Sequence, residues 1–190
     1  MSRPSLHNDV HPERMAAEED EVTAARRDPQ AFGALYDRYV QPVYRYLLSR
    51  TASVEEAQDL TSQVFLTAFE SFSRYRHDGY FAAWLFAIAR TKFIDHLRRR
   101  KRRPETPLEE VPGPDNDLLQ QVGEAERIRY LKRHIQDLDE GEKELLRLRY
   151  VAGLSFAEMA RLLGRSQGAV KKSLYRLLAR LQSQVEDNRG

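Results

Sequence analysis

Apolar residues that return every three or four positions, and nowhere every second position, constrain this chain more than any other feature. Phe32, Leu35, Tyr36, Tyr39, Val43, Tyr44 and Leu47 recur at helical steps from Ala31 onward. Pro42, inside that run, predicts a kink or a break. Ser53-Val54-Glu55-Glu56 has the form of a capping box. It opens a second helix whose stripe is Ala57, Leu60, Val64, Ala68 and Phe72. A polar break from Arg74 to Gly79 precedes a third helix, with Phe81, Trp84, Leu85 and Ile88 on one face, that runs on past Asp95. No segment sustains two-residue alternation, so the predicted class is all-α.

Residues 104–125 interrupt the pattern. Pro104, Pro107, Pro112, Pro114 and two glycines fall there with few large apolar residues, as in a linker. Helices resume at about Glu126, with Ile128, Leu131, Ile135 and Leu138 in register. Asp139-Glu140-Gly141-Glu142 and Ser155-Phe156-Ala157-Glu158 read as further capping boxes, the second opening a short helix that stops at Gly164. Ser166 then caps a final helix to about Glu186. Residues 1–25 show no periodicity and read as a disordered tail. The organisation expected is two small helical domains, 26–103 and 126–186, joined by a flexible acidic linker over 104–125.

Composition narrows the function classes. The chain has 190 residues, 41% of them hydrophobic and 32% charged, which suits small cores better than one large one. It has no cysteine, which excludes disulfides, thiolate metal sites and a cysteine nucleophile, and fits a reducing cytosol. No apolar run approaches the roughly 18–20 residues of a membrane span, and the polar, acidic N-terminus is not a signal peptide. These features predict a cytoplasmic protein with no membrane insertion. His7 and His11 lie in the tail without ligand partners, and His77, His96 and His134 are isolated in sequence. No P-loop, HExxH or nucleophile elbow is present. The expectation is therefore a non-enzyme, with no cofactor and no metal.

The net charge of +2 hides a segregation of charge. Arg98 to Arg103 are consecutive basic residues, and every charged residue from there to Glu126 is acidic. Upstream, aromatics and cations interleave: Phe69, Phe72, Arg74, Tyr75, Arg76, Tyr80, Phe81, Trp84, Arg90 and Lys92. Aromatic platforms beside a cationic groove are how single-stranded nucleic acid is held. The stripe aromatics Phe69, Phe72, Phe81 and Trp84 read as core, whereas Tyr75 and Tyr80, bordering the polar loop, read as exposed contacts.

Downstream, LSFAEMARLLGRSQGAVKKSLYRLLARL joins two capped helices at a glycine. A helix-turn-helix needs a small residue where its helices cross, a glycine at the turn and an apolar anchor on the second helix. Ala160, Gly164 and Val170 sit at those spacings. Val170, Leu174, Leu177 and Leu181 would face inward, leaving Lys171, Lys172, Tyr175 and Arg176 outside. Lys and Arg pair with phosphates or with guanine edges. The bland reading is a helical hairpin with a basic solvated face.

With these residues in place, the chain resembles an extracytoplasmic-function sigma factor, the small two-domain class within the sigma-70 family of bacterial initiation factors. The resemblance covers about residues 28–184. Asp59-Leu60-Thr61-x-x-Val64-Phe65-Leu66 resembles the helix that docks on the β′ clamp of core RNA polymerase, which implies Asp59, Leu60, Gln63 and Phe65 as polymerase-binding residues. Trp84-Leu85-x-x-Ile88-Ala89-Arg90-x-x-x-x-Asp95-x-x-Arg98-Arg99 resembles the helix that reads and melts the minus-ten element. The loop before it captures a flipped base in the family. Carried over, the minus-ten set is Arg74, Tyr75, Arg76, His77, Asp78, Tyr80, Trp84, Arg90, Thr91, Lys92, Asp95, Arg98 and Arg99. Leu154 to Leu181 resembles the minus-thirty-five-reading unit, which implies Arg165, Ser166, Gln167, Lys171, Lys172, Ser173, Tyr175 and Arg176 as DNA contacts. The partners implied are core polymerase, through its β′ clamp and β flap, promoter DNA and an anti-sigma factor.

This sequence departs from the family pattern at Thr91, where relatives often carry Asn, at Ser62 and Gln63, and at Ala169 and Ser173 in the recognition helix. The family's linker threads the path of nascent RNA, so the acidic residues Glu105, Glu109, Glu110, Asp115 and Asp117 read either as an RNA mimic or as a soluble spacer. The chain stops soon after the last helix, which predicts no appended sensor. Two other classes stay open at this point. One is a free-standing helix-turn-helix regulator that acts outside polymerase; the other is a helical protein that sequesters a partner.

Overall fold

The structure, a computed structural model, describes residues 12–51, 53–76, 78–102 and 133–187. The predicted linker, His77, Arg103 and the start of the second domain lie outside these residues. Among the described residues every regular element is helical. In chain order these are α1 (Pro12–Arg27), α2 (Phe32–Thr51), α3 (Val54–Ser71), α4 (Phe81–Lys101), α5 (Glu140–Leu146), α6 (Phe156–Leu163) and α7 (Gln167–Asp187). Single 3-10 turns occupy Pro29–Ala31 and Phe72–Arg74, and α5 runs into a π-helical segment, Arg147–Val151.

The periodic stripes form the core as expected. Leu35, Tyr39, Val43 and Leu47 of α2 meet Ala57, Leu60, Val64 and Ala68 of α3 and Phe81, Leu85 and Phe86 of α4. Burying a large apolar side chain contributes roughly 1.5–3 kcal/mol, so this stripe dominates the unit's stability. α2 passes Pro42 without the predicted break. A missing N–H and a clash with the previous turn normally stop a helix there; here Tyr39, Val43, Tyr46 and Leu47, buried on both sides of Pro42, hold it in place.

The reading of residues 1–25 as a disordered tail is corrected over residues 12–25, which belong to α1. The apolar stripe of α1 is only Val22 and Ala25, too short to register as periodicity. Polar contacts complete its attachment. Tyr39 donates its hydroxyl to the buried Glu18 carboxylate, and Arg38 makes a bidentate pair with Glu21 at 2.6 and 2.5 Å. Charge-assisted bonds of this kind are shorter and stronger than neutral ones.

The caps follow the sequence, with one difference. Ser155 and Glu158 form the full reciprocal box at the start of α6. Ser53 and Asp139 each accept from the third residue on, at 3.3 and 2.8 Å. Their third residues do not reach back. Glu56 pairs instead with His96 at 3.4 Å and Arg100 at 3.3 Å, and Glu142 with Arg180 at 2.7 Å. Both carboxylates thus tie their helix to a neighbour.

The two units expected to be tethered also touch. α2 packs on the π segment and α4 packs on α6, and one buried cluster runs from Val22 through Tyr46 and Phe86 to Leu148, Phe156 and Leu174. Glu144 lies in this seam, 6% exposed. It accepts from the Tyr46 hydroxyl at 2.8 Å and from Arg50 at 2.5 Å. A second, smaller cluster of Leu138, Leu177 and Leu181, with Ile135 against it, seals the far end of α7.

Candidate nucleic-acid interface

The helix-turn-helix is built as its sequence implies. Gly164 adopts φ 63°, a left-handed conformation that other residues reach only with strain, and turns the chain between α6 and α7. The Ser166 hydroxyl accepts from the Ala169 N–H at 3.2 Å and caps α7. Val170, Leu174, Leu177 and Leu181 are buried. The opposite face is divided. Arg165, Gln167, Lys172 and Arg176 are exposed. Lys171 lies over the Phe156 and Tyr175 rings at 5.7 and 5.9 Å, and Tyr175 packs edge-on against Phe156 at 6.0 Å. Ser173 takes a 2.7 Å hydrogen bond from Arg165, which ties the turn to the helix. The side chains free to reach into a groove are thus Lys172, Arg176, Gln167 and, with modest rearrangement, Arg165 and Lys171.

In the first unit the loop before α4 divides as well. Arg74 and Arg76 are exposed and Tyr80 is half-buried. Tyr75, expected as an exposed contact, is instead buried at 4% exposure. Its ring stacks on Phe72 and meets Phe81 and Trp84, with the Trp84 centroid 4.9 Å away. The loop is short and its turn at Gly79 has φ 76°, so the chain folds the tyrosine back under it. Phe69, expected as core, is 49% exposed, its ring in an edge contact with Phe32 at 5.4 Å. Beyond the loop, Thr91 returns its hydroxyl to the Ala87 carbonyl at 2.9 Å and Asp95 pairs with Arg98 at 3.2 Å. The Arg99 guanidinium leans to the Asp95 carbonyl at 3.4 Å, Lys92 is half-buried, and Arg90 stands 4.0 Å from Glu144.

Trp84 and the loop border an open cavity of about 380 Å³. Its wall combines Arg74, Arg76 and Asp78 with Arg161 and Leu162 of α6. Arg161 donates to the Asp78 carboxylate across it. A planar apolar floor rimmed by guanidinium groups suits a base and its phosphate.

The helix read as polymerase-binding places its residues unevenly. Asp59 is exposed and Gln63 half-exposed, but Leu60 is buried and Phe65 turns inward, its ring 4.8 Å from Tyr36. The apolar groups that do reach the surface here are Tyr36, Leu66 and Phe69. The site list drawn from the sequence omits all three. A signal was present for Leu66, which falls off the stripe that buries Val64 and Ala68, but not for Phe69, which read as core. Exposed apolar groups clustered on one face mark an interaction surface.

Among the described residues no group of His, Asp and Glu could hold a metal ion, and no helix is long and apolar enough to cross a membrane.

Comparison with known proteins agrees with this geometry. Residues 35–103 match the family model described as Sigma-70 region 2, and residues 128–181 match Sigma-70, region 4. The chain is 33% identical over 169 residues to the ECF RNA polymerase sigma factor BldN of Streptomyces coelicolor. That match takes in 85% of this chain and 62% of BldN, so the chain spans less than two thirds of that relative's length. It is 30% identical over 158 residues to the ECF RNA polymerase sigma factor SigM of Bacillus subtilis, covering 82% of this chain and 94% of SigM. The fold is similar to that of CnrH in its complex with the cytosolic domain of CnrY, with a TM-score of 0.60 at 23% identity over 90% of this chain and 98% of that one. It is similar also to the sigma factor RpoE of Bartonella quintana in complex with the anti-sigma factor NepR, with a TM-score of 0.62 at 20% identity over 82% and 96%. Two family regions in order on one chain, with relatives of this closeness, identify it: the protein belongs to the sigma-70 family and, within it, to the extracytoplasmic-function sigma factors.

Proposed function

We propose that this chain binds bacterial core RNA polymerase, directs it to a specific set of promoters and helps open the minus-ten region. The observation that carries the reading is the pairing, on one chain, of an exposed Lys172–Arg176 face on a capped recognition helix with an aromatic, arginine-rimmed cavity at the loop before α4. The first suits the edges and phosphates of duplex DNA. The second suits an unstacked base, whose extraction costs a few kcal/mol that the pocket must offset. Trp84, Tyr80, Arg74 and Arg76 are the residues that would meet that base and its backbone, with Tyr75 as the floor beneath them. Asp59 and Gln63, with the exposed Tyr36, Leu66 and Phe69, form the face for the β′ clamp, and the C-terminal unit meets the β flap. The acidic stretch after Arg103 would occupy the path of RNA.

The family is one of non-enzymatic initiation factors, and in this reading polymerase supplies the chemistry in the cytoplasm while the chain supplies recognition. CnrH and RpoE are each seen with a partner, CnrY and NepR. An anti-sigma factor that holds this chain inactive is part of the proposal. A free-standing regulator is not favoured, because family membership accounts for both units at once.

Variants of the two faces test the reading. Lys172→Ala and Arg176→Ala should each weaken promoter binding by about 1–3 kcal/mol, measured as start-site occupancy by holoenzyme, and leave affinity for core polymerase unchanged. Asp59→Ala with Leu66→Ala should do the reverse. Loss of polymerase binding in the recognition-helix variants would refute the division of labour.

A further inference from the structure

We propose that Glu18 of α1 is a positioning residue of the strand-capturing loop, bracing Tyr75 so that the aromatic floor at Trp84 keeps the orientation that receives an extruded base. The inference deepens the proposed function and rests on its assignment of that loop to minus-ten DNA.

A carboxylate leaves water only where specific partners offset the cost. Glu18 is 4% exposed, while Glu19 and Asp20 on the same helix stand in solvent. Fastening α1 to the unit does not call for a buried acid. Val22 and Ala25 supply the apolar contact, and Glu21 pairs with Arg38 nearer the surface. What sets Glu18 apart is the set of rings around it. Tyr39 donates to its carboxylate, and the Tyr39 ring lies 5.6 Å from Phe81, the first residue of α4. Phe81 in turn meets Tyr75 edge-on at 5.6 Å. The same carboxylate acts on Tyr75 itself. Burial first, then the charges of Asp78 and Glu18, hold the Tyr75 phenol well above the ordinary value of 10, while hydrogen bonds from the Tyr80 and Asp78 backbone act the other way. The backbone of the loop and the acid of α1 thus converge on one phenol.

Glu19 marks a second point of approach. A Cβ at Gly79 would lie 3.4 Å from its carboxylate, so α1 passes against the loop at its left-handed turn. Of these groups Tyr75 lines the cavity, its ring stacked on Phe72 at 6.1 Å and centred 4.9 Å from Trp84. Glu18 is not part of that wall and acts through it. Stacking depends on how the planes of the rings are offered to one another, and a binding constellation works when it is held within about 0.5 Å of its productive geometry. Packing alone leaves the Tyr75 ring free to tilt; the acid and the loop backbone at its hydroxyl fix that tilt, and with it the face that Trp84 presents.

Three variants of the full-length chain test the brace. Glu18→Ala removes the acid. Glu18→Gln keeps an oxygen for Tyr39. Val22→Ala, at a fully buried position of the same helix, loosens α1 without touching the acid. Trp84, the only tryptophan, reports on the free chain: its emission should shift, and acrylamide should quench it more readily, in Glu18→Ala but not in Val22→Ala. In holoenzyme formed with core polymerase, Glu18→Ala should weaken binding of a randomised single-stranded DNA pool on the order of tenfold, the scale of one lost base stack. Affinity for core polymerase should not change. Glu18→Gln should restore most of the loss. Tyr75→Phe, which keeps the ring and removes the hydroxyl, should reproduce it, and adding Glu18→Ala to Tyr75→Phe should cost nothing further. A Val22→Ala chain with the same Trp84 change and the same loss of strand binding reduces Glu18 to a structural role and overturns the proposal. So does an unchanged Trp84 signal in Glu18→Ala, or additive losses in the double variant. Wild-type holoenzyme with no affinity for the single strand would overturn the assignment of the loop instead, and the Trp84 signal, which uses neither DNA nor polymerase, keeps the two failures apart.

Discussion

Tyr46 shows how much a single side chain can carry in a small helical protein. It fills the core of the first unit, packs edge-on against Phe86 at 5.3 Å and donates to Glu144 of the second. Burial first, and the Glu144 carboxylate next, hold its phenol above the ordinary value of 10. The folded chain therefore keeps this proton at pH values where the unfolded chain loses it. Its contribution to stability is complete below about pH 10 and is lost as pH rises further. Denaturant titrations between pH 9 and 11 should show wild-type stability falling more steeply than that of Tyr46→Phe. Leu148, fully buried between the units, makes the apolar counterpart: Leu148→Ala should cost about 2–5 kcal/mol in the same assay. Residue types alone said little about these roles. Tyr75 read from sequence as a contact because it borders a polar loop, and Phe65 because its motif resembles the polymerase-docking helix; both are packed inward, whereas Phe69 read as core and is exposed. An aromatic at the edge of a stripe is decided by the neighbour that covers it, which periodicity does not name.

The elements were far more legible than their side chains. α2, α3, α4, α6 and α7 announce themselves because each buries a stripe at helical spacing, and Ser53, Asp139 and Ser155 mark three of the starts. α1 did not, since its hold on the unit comes from Glu18 and Glu21 reaching Tyr39 and Arg38, and acidic residues look the same in a tail and in such a contact. Deleting residues 1–27 should therefore destabilise the first unit, because the burial of Val22 and Ala25 and the bonds from Tyr39 and Arg38 to Glu18 and Glu21 are lost together, read as a lower thermal midpoint. The caps predict smaller effects. Ser155→Ala removes one arm of the reciprocal box and should cost about 0.5–2 kcal/mol. Gly164→Val places a branched side chain at φ 63° and should cost at least about 1–2 kcal/mol, with loss of duplex binding if the turn shifts.

At the scale of the whole molecule, the sequence displays two units and a segregated linker but not their contact. The residues that join across the seam are 94 and 98 positions apart, and nothing in a lone glutamate at position 144 says that a tyrosine and an arginine await it. The family assignment was legible because it rests on three motifs in order, each with its own spacing. A chain that works this way should bind promoter DNA with a steep salt dependence when complexed with polymerase. Lys172→Ala should reduce the slope of log affinity against log salt by about 1 if that lysine meets a phosphate, and leave it unchanged if it meets a base edge. The most direct test of the whole account is run-off transcription on sheared genomic DNA from the host, with core polymerase in the presence and absence of the purified chain. The account predicts discrete new transcripts that require the chain, with shared sequence elements upstream of their start sites. Core polymerase that gains no specific starts, while the chain alone still shifts duplex DNA, would contradict it.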